Sequence, residues 1–134
     1  MHRGFLKTAA ILGAVSVIIG AFAAHALKGK VGDHALATFQ TAVTYQFYHV
    51  FALFLAGIVY KDFSYNITKW AGRFFIAGII LFCGSLYYLS FMQAVVKPVP
   101  GWAVALTPIG GFAFIGGWVL LFLSFFKKRN TSAL

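Results

Sequence analysis

The sequence predicts an all-α fold: an integral membrane four-helix bundle with its N and C termini on the cytoplasmic side. Four long apolar stretches, at residues 8–27, 42–60, 74–92 and 102–126, make up most of the chain. Each is close to the ~20 helical residues that cross a bilayer. Hydrophobic residues are 61% of the total and charged residues only 10%, unlike the composition of a soluble domain. Basic residues are concentrated in alternate connections, which indicates the orientation.

The orientation follows from counting basic residues on the two sides. The first tail, the second loop and the last tail hold Arg3, Lys7, Lys61, Lys69, Arg73, Lys127, Lys128 and Arg129. The first and third loops hold only Lys28, Lys30 and Lys97. By the positive-inside rule, this asymmetry predicts a multi-pass protein of the cell (inner) membrane with both termini inside.

The net charge of +9 does not indicate nucleic-acid binding. A nucleic-acid surface needs a continuous basic stripe, whereas these residues are scattered at the ends of apolar stretches. The expected partner is therefore the lipid bilayer. A second copy of the chain or a larger membrane complex is a further possible partner.

Helix 1 is predicted over residues 5–27 and is expected to remain uncleaved. Residues 21–23 resemble a signal-peptidase site, but the apolar run is longer than the ~7–15 residues of a signal core. Ser16, Gly20 and Ala24 recur at a spacing of four. Small residues at this spacing allow close helix approach, so we expect all three to face another helix.

Helix 2 is predicted over residues 34–60 and carries most of the polar residues. One stripe contains His34, Thr38, Thr41, Tyr45, Tyr48 and His49, with Gln46 beside it. The opposite side carries Val43, Phe47, Val50 and Phe54. We expect the polar stripe to face the bundle and the apolar side to face lipid. A histidine within a membrane span is a functional-site hypothesis by default.

Helices 3 and 4 are predicted over residues 70–93 and 102–126. Helix 3 carries Gly84, expected at a packing contact, followed by Ser85 and Tyr87. Helix 4 contains Pro108, which either kinks a continuous helix or begins a shorter helix capped by Thr107. The second alternative would place a helix N-terminus inside the bundle.

These polar and glycine-rich motifs are predicted to converge in the outer half of the bundle. The candidate ligand-binding residues are His25, Tyr45, Gln46, His49, Ser85, Tyr87, Thr107, Gly110 and Gly111. His25 is expected above the others, with access to solvent. If the cluster only holds helices together, its members should bond one another and leave no cavity. If it binds a ligand, a pocket should remain.

No catalytic or cofactor chemistry is recognised in this pattern. His25 and His49 are expected to differ in depth by more than ~10 Å, too far to share one haem iron. A zinc site needs three or four ligands, and no Cys or carboxylate accompanies the histidines. The spans contain no Asp or Glu. We therefore expect no catalytic residues, no metal, no cofactor and no enzyme activity.

Several motifs together resemble a known family. Residues 20–28, residues 39–46 followed by His49, residues 84–87, and residues 107–111 followed by Gly117 and Trp118 resemble domain-of-unknown-function family 423 of small four-helix membrane proteins. The resemblance covers nearly the whole chain in order. It implies the fold and a membrane location, but no activity or site residues.

Two functional hypotheses follow. The first is an uncharacterised structural or accessory membrane component that packs with itself or with a larger complex. The alternative is binding or transport of a small or lipid-like molecule through a polar pocket in the outer half of the bundle.

Overall fold

Four long helices make up most of the protein. The computed structural model describes residues 1–127, and its helices are α1 (Arg3–Leu27), α2 (Asp33–Val59), α3 (Tyr65–Ala94) and α4 (Gly101–Phe125). They contain 25, 27, 30 and 25 residues, or about 38–45 Å each at ~1.5 Å per residue. Each can cross a ~30 Å hydrocarbon core. Lys128 and Arg129 of the charge count lie outside the described residues.

Helices α2 and α3 form the centre of the bundle. Helix α1 packs mainly on α2, and α4 packs mainly on α3. The two peripheral helices, α1 and α4, therefore expose most of their apolar surface. Helix α3 begins at Tyr65, five residues before the predicted start at residue 70. Thr68 lies in its first turn, fully buried, and donates a hydrogen bond to the Ser64 carbonyl (2.9 Å).

The contact between α1 and α2 is close because α1 presents small residues there. A Cβ placed on Gly13 would lie 3.6 Å from Val50, and one on Gly20 would lie 3.5 Å from Val43. Ser16 is fully buried. The prediction for Ala24 is wrong, because this residue is exposed and Ala23 is buried instead. At 3.6 residues per turn, eight residues from Ser16 rotate the face by about 80°, whereas seven rotate it by about 20°.

The predicted orientation of α2 is also wrong for most of its polar stripe. Tyr45 and Tyr48 are 40% and 58% exposed, whereas Val50 is buried. The exposed Thr38 and Thr41 hydroxyls donate to carbonyls four residues earlier in their own helix, each at 2.9 Å. Because they are satisfied locally, these threonines can face lipid without losing a hydrogen bond.

A glycine–aromatic seam joins α3 to α4. The Phe114 ring lies against Gly78, and the Phe75 ring lies against Gly117. Gly110 lies against the backbone of Phe82, which belongs to a π-helical turn, Ile79–Cys83, inside α3. The predicted packing role of Gly84 is wrong. No atom of a neighbouring element lies within 4 Å of the position its Cβ would take.

Helix α4 is continuous through Pro108. The alternative of a shorter helix capped by Thr107 is therefore wrong, and no helix N-terminus lies inside the bundle at that point. Thr107 contributes a side-chain hydrogen bond instead, since its hydroxyl lies 2.8 Å from that of Ser85.

The first residues of the chain contact the C-terminal end of α2. The backbone N–H of His2 donates to the Gly57 carbonyl (2.7 Å), and the His2 ring stacks on Phe5 with 3.9 Å between centroids. Phe5 is buried against Gly72 of α3. The start of α1 is thus fixed by both central helices.

Candidate functional site

The structure separates the predicted site residues into three hydrogen-bonded groups. Ser85 pairs with Thr107 between α3 and α4. Tyr87 donates to the Gln46 side-chain oxygen (2.8 Å), and the Gln46 nitrogen lies 3.4 Å from the Leu12 carbonyl. The third group is built on His49. His25 is exposed in the last turn of α1 and belongs to none of these groups.

The groups are separate because neighbouring residues of α2 point in different directions. At ~100° per residue, Gln46 is rotated by about 100° from Tyr45, and His49 lies between them at about 40°. Gln46 therefore reaches α1 and α3, whereas His49 faces α4. The predicted site residues are thus divided among these groups, while their place in the outer half of the bundle stays a prediction.

His49 is buried and hydrogen-bonded through both ring nitrogens. Trp118 Nε1–H donates to Nε2 of His49 at 3.2 Å, so Nε2 carries no hydrogen. Nδ1 then carries it and donates to the Tyr45 carbonyl at 2.7 Å. The imidazole also stacks on the Phe114 ring, with 3.4 Å between centroids and 9° between planes. This geometry fits one neutral tautomer.

A groove of about 720 Å³ opens beside His49 between α2 and α4. Helix α2 contributes Tyr45, Tyr48, His49 and Phe51, helix α4 contributes Gly111, Phe114, Ile115 and Trp118, and α3 contributes Phe82. Four of the lining residues, Tyr48, Phe51, Ile115 and Trp118, are 45–65% exposed. The groove therefore opens sideways, toward the bilayer, and not toward water.

The groove lies near mid-depth. Tyr48 follows Asp33 by fifteen residues and precedes Val59 by eleven, or about 22 Å and 16 Å along α2. Ile115 has a similar place on α4, fourteen residues after Gly101 and ten before Phe125. A polar pocket in the outer half was predicted, but this groove is mostly aromatic and lies near mid-depth.

The titratable side chains of the lining are one imidazole, His49, and two phenols, Tyr45 and Tyr48. None of the nine lining residues is Asp, Glu, Lys, Arg or Cys. Among residues 1–127, no group of three His, Cys, Asp or Glu side chains is placed to hold a metal ion. What the groove does offer is ring surface and two tyrosines. No hydrogen bond within the described part of the chain involves their hydroxyls.

Three residues of this groove, Tyr45, His49 and Gly111, were among the predicted ligand-binding residues, and the other six were not. The main omission is Trp118, which was named only as part of the family resemblance. One signal was present: Trp118 lies mid-span, whereas tryptophans favour the membrane interface. Phe82 and Phe114 gave no such signal, because one sequence with sixteen phenylalanines does not show which rings meet.

Comparison with known proteins gives consistent matches. Residues 19–111 match a family model described as "Protein of unknown function (DUF423)". The chain is similar to a UPF0382 membrane protein of Staphylococcus aureus (strain bovine RF122 / ET3-1), 43% identical over 126 residues, which is 91% of this chain and 98% of that protein.

Two further UPF0382 membrane proteins, of Staphylococcus haemolyticus (strain JCSC1435) and Staphylococcus epidermidis (strain ATCC 35984), are 40% and 38% identical over the same shares of the two chains. No solved structure matches. The matched segment contains all nine residues of the predicted site, but it ends before Trp118.

Proposed function

This chain belongs to the DUF423 family, and from that premise we propose that it is a multi-pass protein of the cell's inner membrane that binds a small lipid-soluble molecule. The groove between α2 and α4 is the observation that carries this proposal. Its volume of about 720 Å³ falls within the ~300–1,000 Å³ typical of small-molecule sites. Since its mouth faces lipid, the ligand would enter from within the bilayer.

The length of the groove favours a small molecule over a partner helix. Its walls run from Tyr45 to Phe51 on α2 and from Gly111 to Trp118 on α4, about 9–11 Å at ~1.5 Å per residue. A transmembrane helix that crosses a ~30 Å core would fit into this groove over only about a third of its length. The groove therefore fits a compact molecule.

A specific observation also favours the second candidate, a structural or accessory component that packs with itself or with a larger complex. The polar side chains Gln46, His49 and Ser85 are bonded within the protein, as expected if they mainly hold helices together. Helix α1 has a broad exposed apolar face that a partner could cover, with Ile11, Val17 and Ile18 each 60–68% exposed.

Location and orientation are part of the proposal. The basic residues at the α1 start, the α2–α3 loop and the α4 end support cytoplasmic termini. The contacts of His2 and Phe5 with α2 and α3 support an uncleaved α1, because cleavage after this helix would leave Gly57 and Gly72 without their neighbours.

Filling the groove tests the proposal. A Cβ on Gly111 would lie 3.9 Å from the Phe82 ring, an ordinary contact, so Gly111→Leu should place its bulk in the groove without moving the backbone. Ala105→Leu on the exposed surface of α4 is the matched control. Each protein is purified in mild detergent and its extract is analysed by mass spectrometry.

We expect one small molecule to copurify with the original chain and with Ala105→Leu, and to be depleted at least tenfold from Gly111→Leu. Equal extracts from all three proteins would show that the groove is not a binding site. A stoichiometric protein partner in the same preparations would then favour the second candidate.

A further inference from the structure

We infer that the ligand of the groove is a planar ring compound with a neutral carbonyl oxygen and a hydrocarbon tail. This inference rests on the proposed function and concerns the same site. Its first support is composition. Six of the nine lining residues are Phe, Tyr or Trp, although these types are only 19% of the chain.

The arrangement of these rings favours a flat ligand over a flexible acyl chain. Tyr45 and Phe82 lie 4.9 Å apart between centroids, and Phe82 and Phe114 lie 5.4 Å apart. These separations are typical of offset and edge-to-face ring pairs. A planar ring can form the same offset or edge-to-face contacts with the exposed faces of these aromatic side chains. An acyl chain would gain only the dispersion contacts that it already has in the bilayer.

The polar component comes from Tyr45 and Tyr48. Both line the groove, and neither hydroxyl has a hydrogen-bond partner between residues 1 and 127. At the depth of Tyr48, about 16 Å from the nearer end of α2, a phenol loses its bonds to water without replacement. A bound acceptor oxygen would restore one.

The remaining groups determine the charge of the ligand. Both His49 nitrogens are already engaged, so the tyrosine hydroxyls are the unused polar groups of the lining. No lining residue carries a cation, which disfavours a carboxylate or phosphate at this depth. A neutral carbonyl, which can accept from a phenol, is the group that fits. The tail would leave through the open side into lipid.

The single cysteine provides a readout. Cys83 is only 1% exposed, so its thiol becomes accessible when the protein unfolds. Alkylation by N-ethylmaleimide after a heat step, measured by intact mass, gives an unfolding temperature. A ligand that binds the folded state raises this temperature.

The probes are a fully substituted prenyl-1,4-naphthoquinone, which cannot add to a thiol, and the naphthalene of the same substitution without the carbonyl oxygens. We expect the quinone to raise the unfolding temperature by several degrees and the naphthalene to raise it less. Tyr45→Phe/Tyr48→Phe should reduce the quinone shift to that of the naphthalene. Tyr88→Phe, an exposed tyrosine outside the groove, should leave the difference unchanged.

Gly111→Leu should abolish both shifts. Equal shifts for the two probes, unaffected by the tyrosine variants but lost in Gly111→Leu, would overturn the carbonyl inference and leave the proposed function standing. No shift with either probe would also overturn the inference. The copurification experiment then decides independently whether the groove holds another kind of molecule.

Discussion

His49 is hydrogen-bonded at both ring nitrogens, and this limits its ability to take up a proton. With Nε2 accepting from Trp118 and Nδ1 donating to the Tyr45 carbonyl, a second proton would displace the indole hydrogen bond. The ring also lies flat on Phe114. The residue therefore acts as a fixed wall of the groove, and its neutral form is the one the surrounding structure stabilises.

Removing the indole donor of Trp118 should show how much its hydrogen bond to His49 stabilises the protein. Trp118→Phe leaves His49 Nε2 without a partner inside hydrocarbon, so we expect a loss of about 1 kcal/mol in the free energy of unfolding. The unfolding temperature measured by Cys83 alkylation should fall. Trp102→Phe, at the exposed start of α4, is the control and should change it little.

A double-mutant cycle separates the hydrogen bond from ring packing. In a His49→Phe background the Trp118→Phe change should cost less, because no acceptor remains to be stranded. An identical cost in both backgrounds would show that Trp118 stabilises the protein by packing alone.

Individual residues also show how far the sequence could predict the site. His49 and Gln46 were expected to be buried, and they are, because amides and imidazoles have no partner in hydrocarbon. Tyr45 was expected to be buried and is half-exposed. Whether a tyrosine faces protein or lipid depends on what the neighbouring helix presents, and α4's rotation is fixed by contacts that a single sequence does not reveal.

At the scale of helices, the seam between α3 and α4 determines where the groove lies. Gly110 brings α4 against the backbone of Phe82, and the π-helical turn at Ile79–Cys83 presents that backbone. π-Helical turns are frequent at functional sites. The close approach turns Phe114 and Trp118 toward His49, so the groove depends on glycines that do not line it.

Two glycine substitutions test this dependence. Gly110→Ala would place a methyl group on the Phe82 backbone, so we expect a destabilisation of about 1–3 kcal/mol. Gly84→Ala meets nothing within 4 Å and should stabilise the helix by up to ~1 kcal/mol. The two unfolding temperatures should thus move in opposite directions, and a parallel shift would contradict the described seam.

Hydropathy was sufficient to predict four helices, because each segment by itself has the length and the apolar composition of a membrane-spanning helix. It did not predict which faces pack. Thr38 and Thr41 look like inward-facing residues, yet each bonds to its own helix. Ser16, Gly20 and Ala24 look like one stripe, yet a spacing of four drifts around the helix. Helix–helix contacts supply the missing information.

For the whole molecule, the orientation in the membrane stays a prediction and can be measured directly. Cysteines at Gly32 and Val99 should react with an impermeant thiol reagent added to intact cells, and one at Asn66 should react only after permeabilisation. Gly32 suits this use because its φ of −61° is available to any residue, whereas Gly29 has φ +75°.

The native Cys83 is buried and serves as the unlabelled control when no cysteine is added. Labelling at Asn66 with protection at the other two positions would invert the topology, while the groove would remain near mid-depth in either orientation.

The sideways opening of the groove also affects how its occupancy depends on the amount of lipid in the membrane. When no ligand is bound, a cleft in contact with hydrocarbon is filled by acyl chains. A ligand therefore enters by exchange with lipid and gains no hydrophobic driving force. Occupancy is then set by the mole fraction of the ligand among lipids, and not by its amount per volume of cell. Adding lipid at constant ligand would then lower the occupancy of the site.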